Sequence, residues 1–322
     1  MHPFAYTRTR DTREALGAGG RYLAGGTDLV TLMRAGVEHP DTVVDIAGLP
    51  LRGITGHGGL RIGALVTMAE AAAHPGIRDG YPVIAQALES GGPPQIRNVA
   101  TVGGNLMQRT RCAYFRDVTV GECNKRAPGS GCAAVHGRNR GHAILGTSAS
   151  CVATHPSDLA VALTALDASV HLDGPDGART VPIDGFLLRP GSTPDREHAL
   201  RPGELITAVE IPAHPGPLRS GYLKVRDRQS AAFALVSAAV ALHIQGGVIR
   251  TAKVVAGGVG TVPWRLPEVE RRLVGERPSP GLWARAAEVA AEGARPLRHN
   301  AFKAELLKRS VERQLRALGG TE

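Results

Sequence analysis

The chain has 322 residues, room for about two domains at roughly 150 residues each, and at 43% hydrophobic it can build ordinary globular cores. Its formal charge of +9 raises the question of nucleic acid, but the arginines are scattered and aromatics make up only 4%, so the charge fits an anionic cofactor or an acidic partner better. No apolar run is long enough to span a bilayer. Residues 1–10 have no apolar stretch after their charges, so no export signal of the chain's own is expected, and the protein is either cytoplasmic or carried to the periplasm by a co-exported partner.

Read in chain order, residues 4–6 predict a short strand, 12–16 a helical turn, and 21–24 a strand ending in Gly25-Gly26. Residues 28–34 predict a helix with Thr27 or Asp28 as N-cap, and 43–46 a further strand. A strand over 60–64, a helix over about 67–73 and a helix over 81–88 follow, the last broken by Gly91-Gly92-Pro93-Pro94. From 109 to 150 periodicity is lost in a stretch rich in Gly, Arg and Cys. A segment that long without regular structure is functional or disordered. A helix over 157–167 and strands over 169–172 and 204–211 come next. The proline-rich residues 212–217 read as a linker. Beyond it, strands over 222–226, 232–244 and 248–255, the last two joined by the Gly246-Gly247 turn, precede a largely helical end over 283–318. That pattern is an α+β domain with helices on a small antiparallel sheet.

All four cysteines, Cys112, Cys123, Cys132 and Cys151, fall in one irregular segment, separated by 10, 8 and 18 residues. Two disulfides would suit an oxidising compartment, although a chain of this size needs no staples. Structural zinc usually shows close Cys-x-x-Cys knuckles, and none is present. A 4Fe–4S cluster needs four thiolates and accepts loose spacing from a wrapped loop, with Pro128, Gly129 and Gly131 to turn it and Arg111, Arg116, Lys125 and Arg126 to offset its charge. Inert buried thiols are the remaining reading, and spacing alone leaves all four open.

Leu23-Ala24-Gly25-Gly26-Thr27-Asp28-Leu29 and Thr101-Val102-Gly103-Gly104-Asn105-Leu106 are two Gly-Gly loops opening onto helices. One such loop is commonly a plain turn. Two, each followed by a polar residue, fit a pyrophosphate gripped by backbone N–H groups from both sides. Neither is a dinucleotide G-x-G-x-x-G fingerprint or a P-loop.

These loops, with Ile96-Arg97-Asn98-Val99-Ala100 before the second, His155-Pro156-Ser157-Asp158, and Lys224-Val225-Arg226-Asp227-Arg228 with the apolar run after it, resemble the FAD-binding module of the xanthine dehydrogenase (molybdenum hydroxylase) family over residues 3 to 320. Within that family, Gln108-Arg109-Thr110-Arg111-Cys112, Cys123-Asn124-Lys125-Arg126, Pro128-Gly129-Ser130-Gly131-Cys132 and the Cys151 to Pro156 stretch closely resemble the FAD subunit of bacterial periplasmic aldehyde oxidoreductases. The first cysteine gap is slightly longer here. The resemblance implies an α+β fold: a two-subdomain FAD-binding domain over 1–215, with subdomains of about 1–55 and 56–215 and an iron–sulfur insert over 109–151, then a smaller α+β domain of the CO dehydrogenase flavoprotein type over 216–322.

It also implies roles. Ala24, Gly25, Gly26, Thr27, Asp28, Leu29 and Val30 would cradle the FAD pyrophosphate, with Thr101, Gly104 and Asn105 on the other side. Asp158 would bind a hydroxyl-bearing part of FAD; as a plain structural residue it would be a helix cap. Lys224 would sit near the flavin, where a cation stabilises the reduced ring; as a plain residue it would be a surface lysine. Cys112, Cys123, Cys132 and Cys151 would ligate one 4Fe–4S cluster. The expected partners are a molybdenum-cofactor large subunit, a 2Fe–2S small subunit and an external electron acceptor. His155 reads as a loop histidine that could donate to a cluster sulfur; His2, His136 and His142 carry no assignment. The rivals are a stand-alone flavin oxidoreductase and a non-catalytic metal-binding protein.

Overall fold

The computed structural model describes residues 1–56, 58–214 and 216–320. The chain begins with a parallel three-stranded sheet of β1 (Ala5–Arg8), β2 (Arg21–Leu23) and β3 (Thr42–Asp45), in the order β1-β3-β2. Parallel pairing requires crossovers, which the helices Thr12–Gly17 and Leu29–Arg34 supply. The first starts cleanly because the Asp11 carboxylate accepts from the N–H groups of Arg13 and Glu14. Asp28 stands at the N-cap position of the second but makes no cap bond there.

The next sheet is antiparallel throughout, in the order β4-β5-β8-β6-β7, from β4 (Ile54–Thr55), β5 (Gly59–Gly63), β6 (Ser169–Asp173), β7 (Arg179–Pro182) and β8 (Leu205–Pro212). Alternation in β5 turns Leu60 and Ile62 inward and leaves Arg61 outside. The helix Met68–Ala73 is opened by a full capping box, in which Thr67 and Glu70 satisfy each other's backbone N–H groups. The helix Asp158–Ala165 is buried at every position after Asp158. An apolar stretch without a polar face requires cover all round, and this helix is wedged between Pro82–Glu89 and the C-terminal sheet.

That last sheet, β9 (Leu218–Val225), β10 (Val236–Gln245), β11 (Val248–Gly257) and β12 (Trp264–Arg265), runs in the order β12-β11-β10-β9. The Gly246-Gly247 turn joins β10 to β11 with both glycines at positive φ, +62° and +72°, as a tight hairpin with right-handed twist requires. β10 is buried on both faces: Ala239 and Ala241 join the core of the N-terminal part, while Val236, Ala238, Val240 and Leu242 meet the C-terminal helices. Among the described residues, no helix is long and apolar enough to cross a membrane.

The sequence expectations fail at several edges. The strand expected over 232–244 begins only at Val236, because 226–235 forms a loop beside a cleft; the strand expected at 222 begins four residues earlier, at Leu218. The helix Pro267–Leu273 was not foreseen, despite proline at its start and Glu268 and Glu270 in its first turn. The helical end expected over 283–318 is two helices, Pro280–Ala287 and Phe302–Gly319, with a short 3-10 turn Glu288–Ala291 and irregular chain between them. The linker expected over 212–217 includes Pro215, which lies outside the described residues, and its first residue closes β8.

Candidate functional site

The two Gly-Gly loops meet. A Cβ on Gly25 would lie 1.9 Å from the Val99 carbonyl oxygen, so the backbone at residue 25 runs directly against the entry to the second loop. Gly26 stands at φ +68°, in the left-handed region. The second loop is pinned beneath: the Val102 and Gly103 N–H groups donate to the Val66 and Ala64 carbonyls, Gly104 N–H to Thr101 Oγ1, and Asn105 N–H to the Thr101 carbonyl. Its amides are therefore spent inside the protein. What it presents is a glycine surface with the Thr101 and Asn105 side chains, and Asn105 Oδ1 accepts from Ser157 and Gln108.

Between and beyond these loops lies a cleft of about 970 Å³, at the upper end of the range for small-molecule and cofactor sites. Of the twelve residues expected at FAD, eleven line it: Ala24, Gly25, Gly26, Thr27, Asp28, Leu29, Thr101, Gly104, Asn105, Asp158 and Lys224. Val30 does not; its side chain lies beside Gly26 and is exposed.

Three of these residues have partners that sequence reasoning missed. Lys224 and Asp158 pair with each other, Nζ to Oδ2 at 2.7 Å, with side chains only 4% and 10% exposed. Lys224 also donates to the Ser90 carbonyl, and the Tyr222 hydroxyl donates to Asp158 Oδ1. Lys224 is thus no surface lysine, and its charge is matched within the protein. Nor is Asp158 the helix cap: Ser157 Oγ accepts from Ala160 N–H in that role, and Asp158 occupies the first turn. Burial raises the Asp158 carboxyl and outweighs the pull of Lys224. Breaking a buried pair from one side costs about 3–5 kcal/mol, whereas removing both partners costs far less. Lys224→Met is therefore expected to lower the melting temperature markedly, and the double variant Lys224→Met/Asp158→Asn to recover most of the loss. A double variant as unstable as the single one would show that the charge pair is not the source of the effect.

The third is Asp28. Its carboxylate receives the Arg109 N–H, the Arg111 guanidinium and the Arg116 guanidinium. Burial alone would raise its pKa, but these three donors hold it below the usual carboxylate range. All three come from the cysteine segment, so one carboxylate ties the first Gly-Gly loop to that segment.

Within residues 109–150 the only helix among the described residues is Ala113–Arg116. The rest is organised by polar side chains. Asn124 Oδ1 accepts from the Gly129 and Gly131 N–H groups, both glycines at positive φ, and Cys123 pairs with Cys132 as an isolated antiparallel bridge. Arg126 donates to the carbonyls of Tyr114, Phe115, Asp117 and Val120. Lys125 and Arg109 share Glu197. The cations expected to offset a cluster's charge are thus engaged structurally as well, although Lys125 still pulls the Cys151 thiol down.

None of the four cysteines is in a disulfide. Burial raises Cys112 to about 11, countered by the Phe115 and Tyr114 N–H groups and reinforced by Cys151 and Cys123. Burial likewise raises Cys151, which also feels Cys132 and Cys123. Cys112 is thus within electrostatic reach of Cys123 and Cys151, and Cys151 within reach of Cys123 and Cys132. Among the described residues, however, no three His, Cys, Asp or Glu side chains are gathered as ligands of a single metal ion. His155 is half-buried, and desolvation lowers it to about 4. The segment leaves along the C-terminal domain, where Ile144 and Leu145 join the core under the final helices, and the fully buried Lys303 donates to the carbonyls of Gly141, His142 and Gly258.

The model of the FAD binding domain in molybdopterin dehydrogenase matches residues 3–214, and that of the CO dehydrogenase flavoprotein C-terminal domain matches 221–318. This chain belongs to the molybdopterin dehydrogenase FAD-subunit family. It is 45% identical over 319 residues to the aldehyde oxidoreductase FAD-binding subunit PaoB of Escherichia coli, covering 97% of this chain and 96% of that one. It is 28% identical to the glyceraldehyde dehydrogenase medium chain of Sulfolobus acidocaldarius over 86% of this chain and 84% of that one. Reconstituted CO dehydrogenase from Oligotropha carboxidovorans has the same fold, with a TM-score of 0.77 at 22% identity and 100% and 99% of the two chains covered. As a member of this family, the chain is an oxidoreductase subunit built on an FAD-binding domain.

Proposed function

We propose that this FAD subunit relays electrons in a molybdenum-dependent aldehyde oxidoreductase, from a 2Fe–2S small subunit to an external acceptor, with substrate oxidation in a molybdenum-cofactor large subunit. The observation that carries the reading is one cleft, floored by two touching Gly-Gly loops and clamped through Asp28 to a four-cysteine segment. The cleft suits FAD because its floor is glycine backbone, with the two loops pressed so closely that a methyl group at residue 25 would strike the Val99 carbonyl oxygen and force them apart. The name of the Escherichia coli relative supports aldehyde as the substrate class.

When bound, FAD takes up an electron pair and passes it on. The chain's own residues do the rest. Ala24, Gly25, Gly26, Thr27, Asp28 and Leu29 bring the backbone close to the pyrophosphate, and Thr101, Gly104 and Asn105 form the opposing wall. Asp158, fixed by Lys224 and Tyr222, would hold the cofactor's hydroxyl-bearing part. Lys224, matched by Asp158, would sit near the flavin without adding uncompensated charge. Cys112, Cys123, Cys132 and Cys151 would hold a 4Fe–4S cluster. The proximity of Cys112 and Cys151 to each other and to Cys123, and of Cys151 to Cys132, supports this, and because a four-iron cube sets its ligands further apart than one ion does, the lack of a tight three-ligand group among the described residues does not oppose it.

The test is co-purification. The chain expressed with its neighbouring genes is expected in a complex with molybdenum and 2Fe–2S subunits, with about one FAD per chain that acid precipitation frees into the supernatant. Expressed alone, it is expected to bind FAD and oxidise no aldehyde. Aldehyde turnover by the molybdenum-free chain would make it a stand-alone flavin oxidoreductase instead, and flavin left in the acid pellet would show covalent attachment.

A further inference from the structure

Histidine 142 was not assigned from sequence because it has no ligand spacing. In the fold its Nε2 lies 3.2 Å from Cys112 Sγ, while Nδ1 is buried and has no partner. A neutral imidazole carries one N–H, and which nitrogen bears it follows from the partners available. A thiol beside Nε2 can donate to it; a metal-bound thiolate can only accept. With Cys112 as a ligand, the proton therefore belongs on Nε2, and the partnerless Nδ1 becomes a bare acceptor, which is less costly than an orphaned N–H.

The ring is also held there. The His142 N–H donates to the Asn139 carbonyl, and the His142 carbonyl receives both Asn300 Nδ2 and the buried Lys303 ammonium. Asn139 is fixed in turn by the His299 N–H on its Oδ1. The ring also lies near Tyr114, centroids 6.1 Å apart. The C-terminal domain thus fixes an imidazole against a sulfur in an insert of the N-terminal domain.

We infer that His142 is a positioning residue that donates an N–H···S hydrogen bond from Nε2 to the Cys112 sulfur and thereby sets the reduction potential of the cluster. The inference rests on the 4Fe–4S reading above. Donors to a ligand sulfur draw electron density from the iron and favour the reduced form, raising the potential. The couple exchanges one electron and moves no proton, so the effect requires no titration of the ring.

The experiment uses the full chain in whatever complex it purifies with, handled anaerobically, as wild type, His142→Phe and His142→Gln. Phe keeps the bulk without a donor; Gln keeps an N–H of similar reach. Iron and acid-labile sulfide are counted, then the cluster's midpoint potential is read by redox titration followed by electron paramagnetic resonance. A lower midpoint in His142→Phe, with His142→Gln near wild type, is expected; loss of iron from Phe alone, with Gln intact, also supports a donor. An unchanged midpoint in His142→Phe, or equal loss of iron from both variants, overturns the inference. Absence of iron and labile sulfide from the wild type overturns the cluster reading itself, which is a separate failure.

Discussion

Gly25→Ala is expected to weaken FAD binding sharply. Residue 25 has no positive φ to protect, so the backbone itself would tolerate alanine. The obstacle is close approach: the added Cβ would lie 1.9 Å from the Val99 carbonyl oxygen, 2.6 Å from its carbon and 3.1 Å from the Ala100 nitrogen. All three are backbone atoms, and no rotamer change relieves the clash. The loops must separate. Forcing volume into a packed site costs about 1–3 kcal/mol, and at roughly 1.4 kcal/mol per tenfold that is on the order of 5- to 150-fold in FAD affinity. Gly26→Ala should do less, because its neighbours are the side-chain ends of Val30 and Leu23 at 3.1 and 3.2 Å, although φ +68° adds about 1–2 kcal/mol of strain. Gly104→Ala meets only Thr101 Oγ1, at 2.9 Å, and puts at risk a cap bond worth about 1 kcal/mol. The order Gly25, Gly26, Gly104 can be read from the FAD-to-protein ratio after gel filtration and from flavin fluorescence titration, with circular dichroism to confirm the fold. A Gly25→Ala protein that keeps wild-type FAD affinity would falsify the two-loop cradle.

Replacing any one of Cys112, Cys123, Cys132 or Cys151 by serine should remove most of the iron and weaken FAD binding as well. Before Ile144 and Leu145 join the C-terminal core, the cysteine segment contributes few apolar side chains, Phe115 and Cys123 forming only a small cluster with Leu32. Its order therefore depends on polar ties and, in the proposed cluster, on bound iron, whose binding energy becomes folding energy. Loosening it should expose residues 109–150 to protease. The effect should reach FAD through Asp28, whose carboxylate is held by Arg109, Arg111 and Arg116, on either side of Cys112. Coupling of this kind is commonly about 1–3 kcal/mol and is reciprocal in binding free energy, so removing FAD should weaken iron binding by the same factor as removing iron weakens FAD. Low pH should act on the same tie. Because the folded-state pKa of Asp28 is depressed, its stabilisation is present above the unfolded value, about 3.9, and is lost as pH falls through the lower folded value. Wild-type protein is expected to contain about four irons and four labile sulfides beyond those of its partners. One zinc and no sulfide would make the site structural, and two native disulfides would exclude a metal site of either kind.

The sequence by itself determined what depends on near neighbours. Strand alternation at Leu60 and Ile62, the Thr67–Glu70 capping box, the Gly246-Gly247 hairpin and the absence of periodicity after residue 109 are set within a few positions, where side chains i to i+4 already meet. The Gly-Gly loops and the four cysteines were legible for the same reason, as short patterns whose residue types restrict the chemistry. Only the tertiary structure decided which of those residues answer to each other. Asp28 faces arginines more than eighty positions away, Lys224 meets Asp158 across 66, and His142 reaches Cys112 across 30. Nothing local fixes such pairings; they depend on where a helix, a sheet and an irregular segment cross. The same holds for Gly25, where the sequence marks a flexible turn and the fold reveals a position with no room for a methyl group. It holds too for Ile144 and Leu145, which lack periodicity in the chain yet complete the C-terminal core, because burial rewards apolar area wherever the chain delivers it.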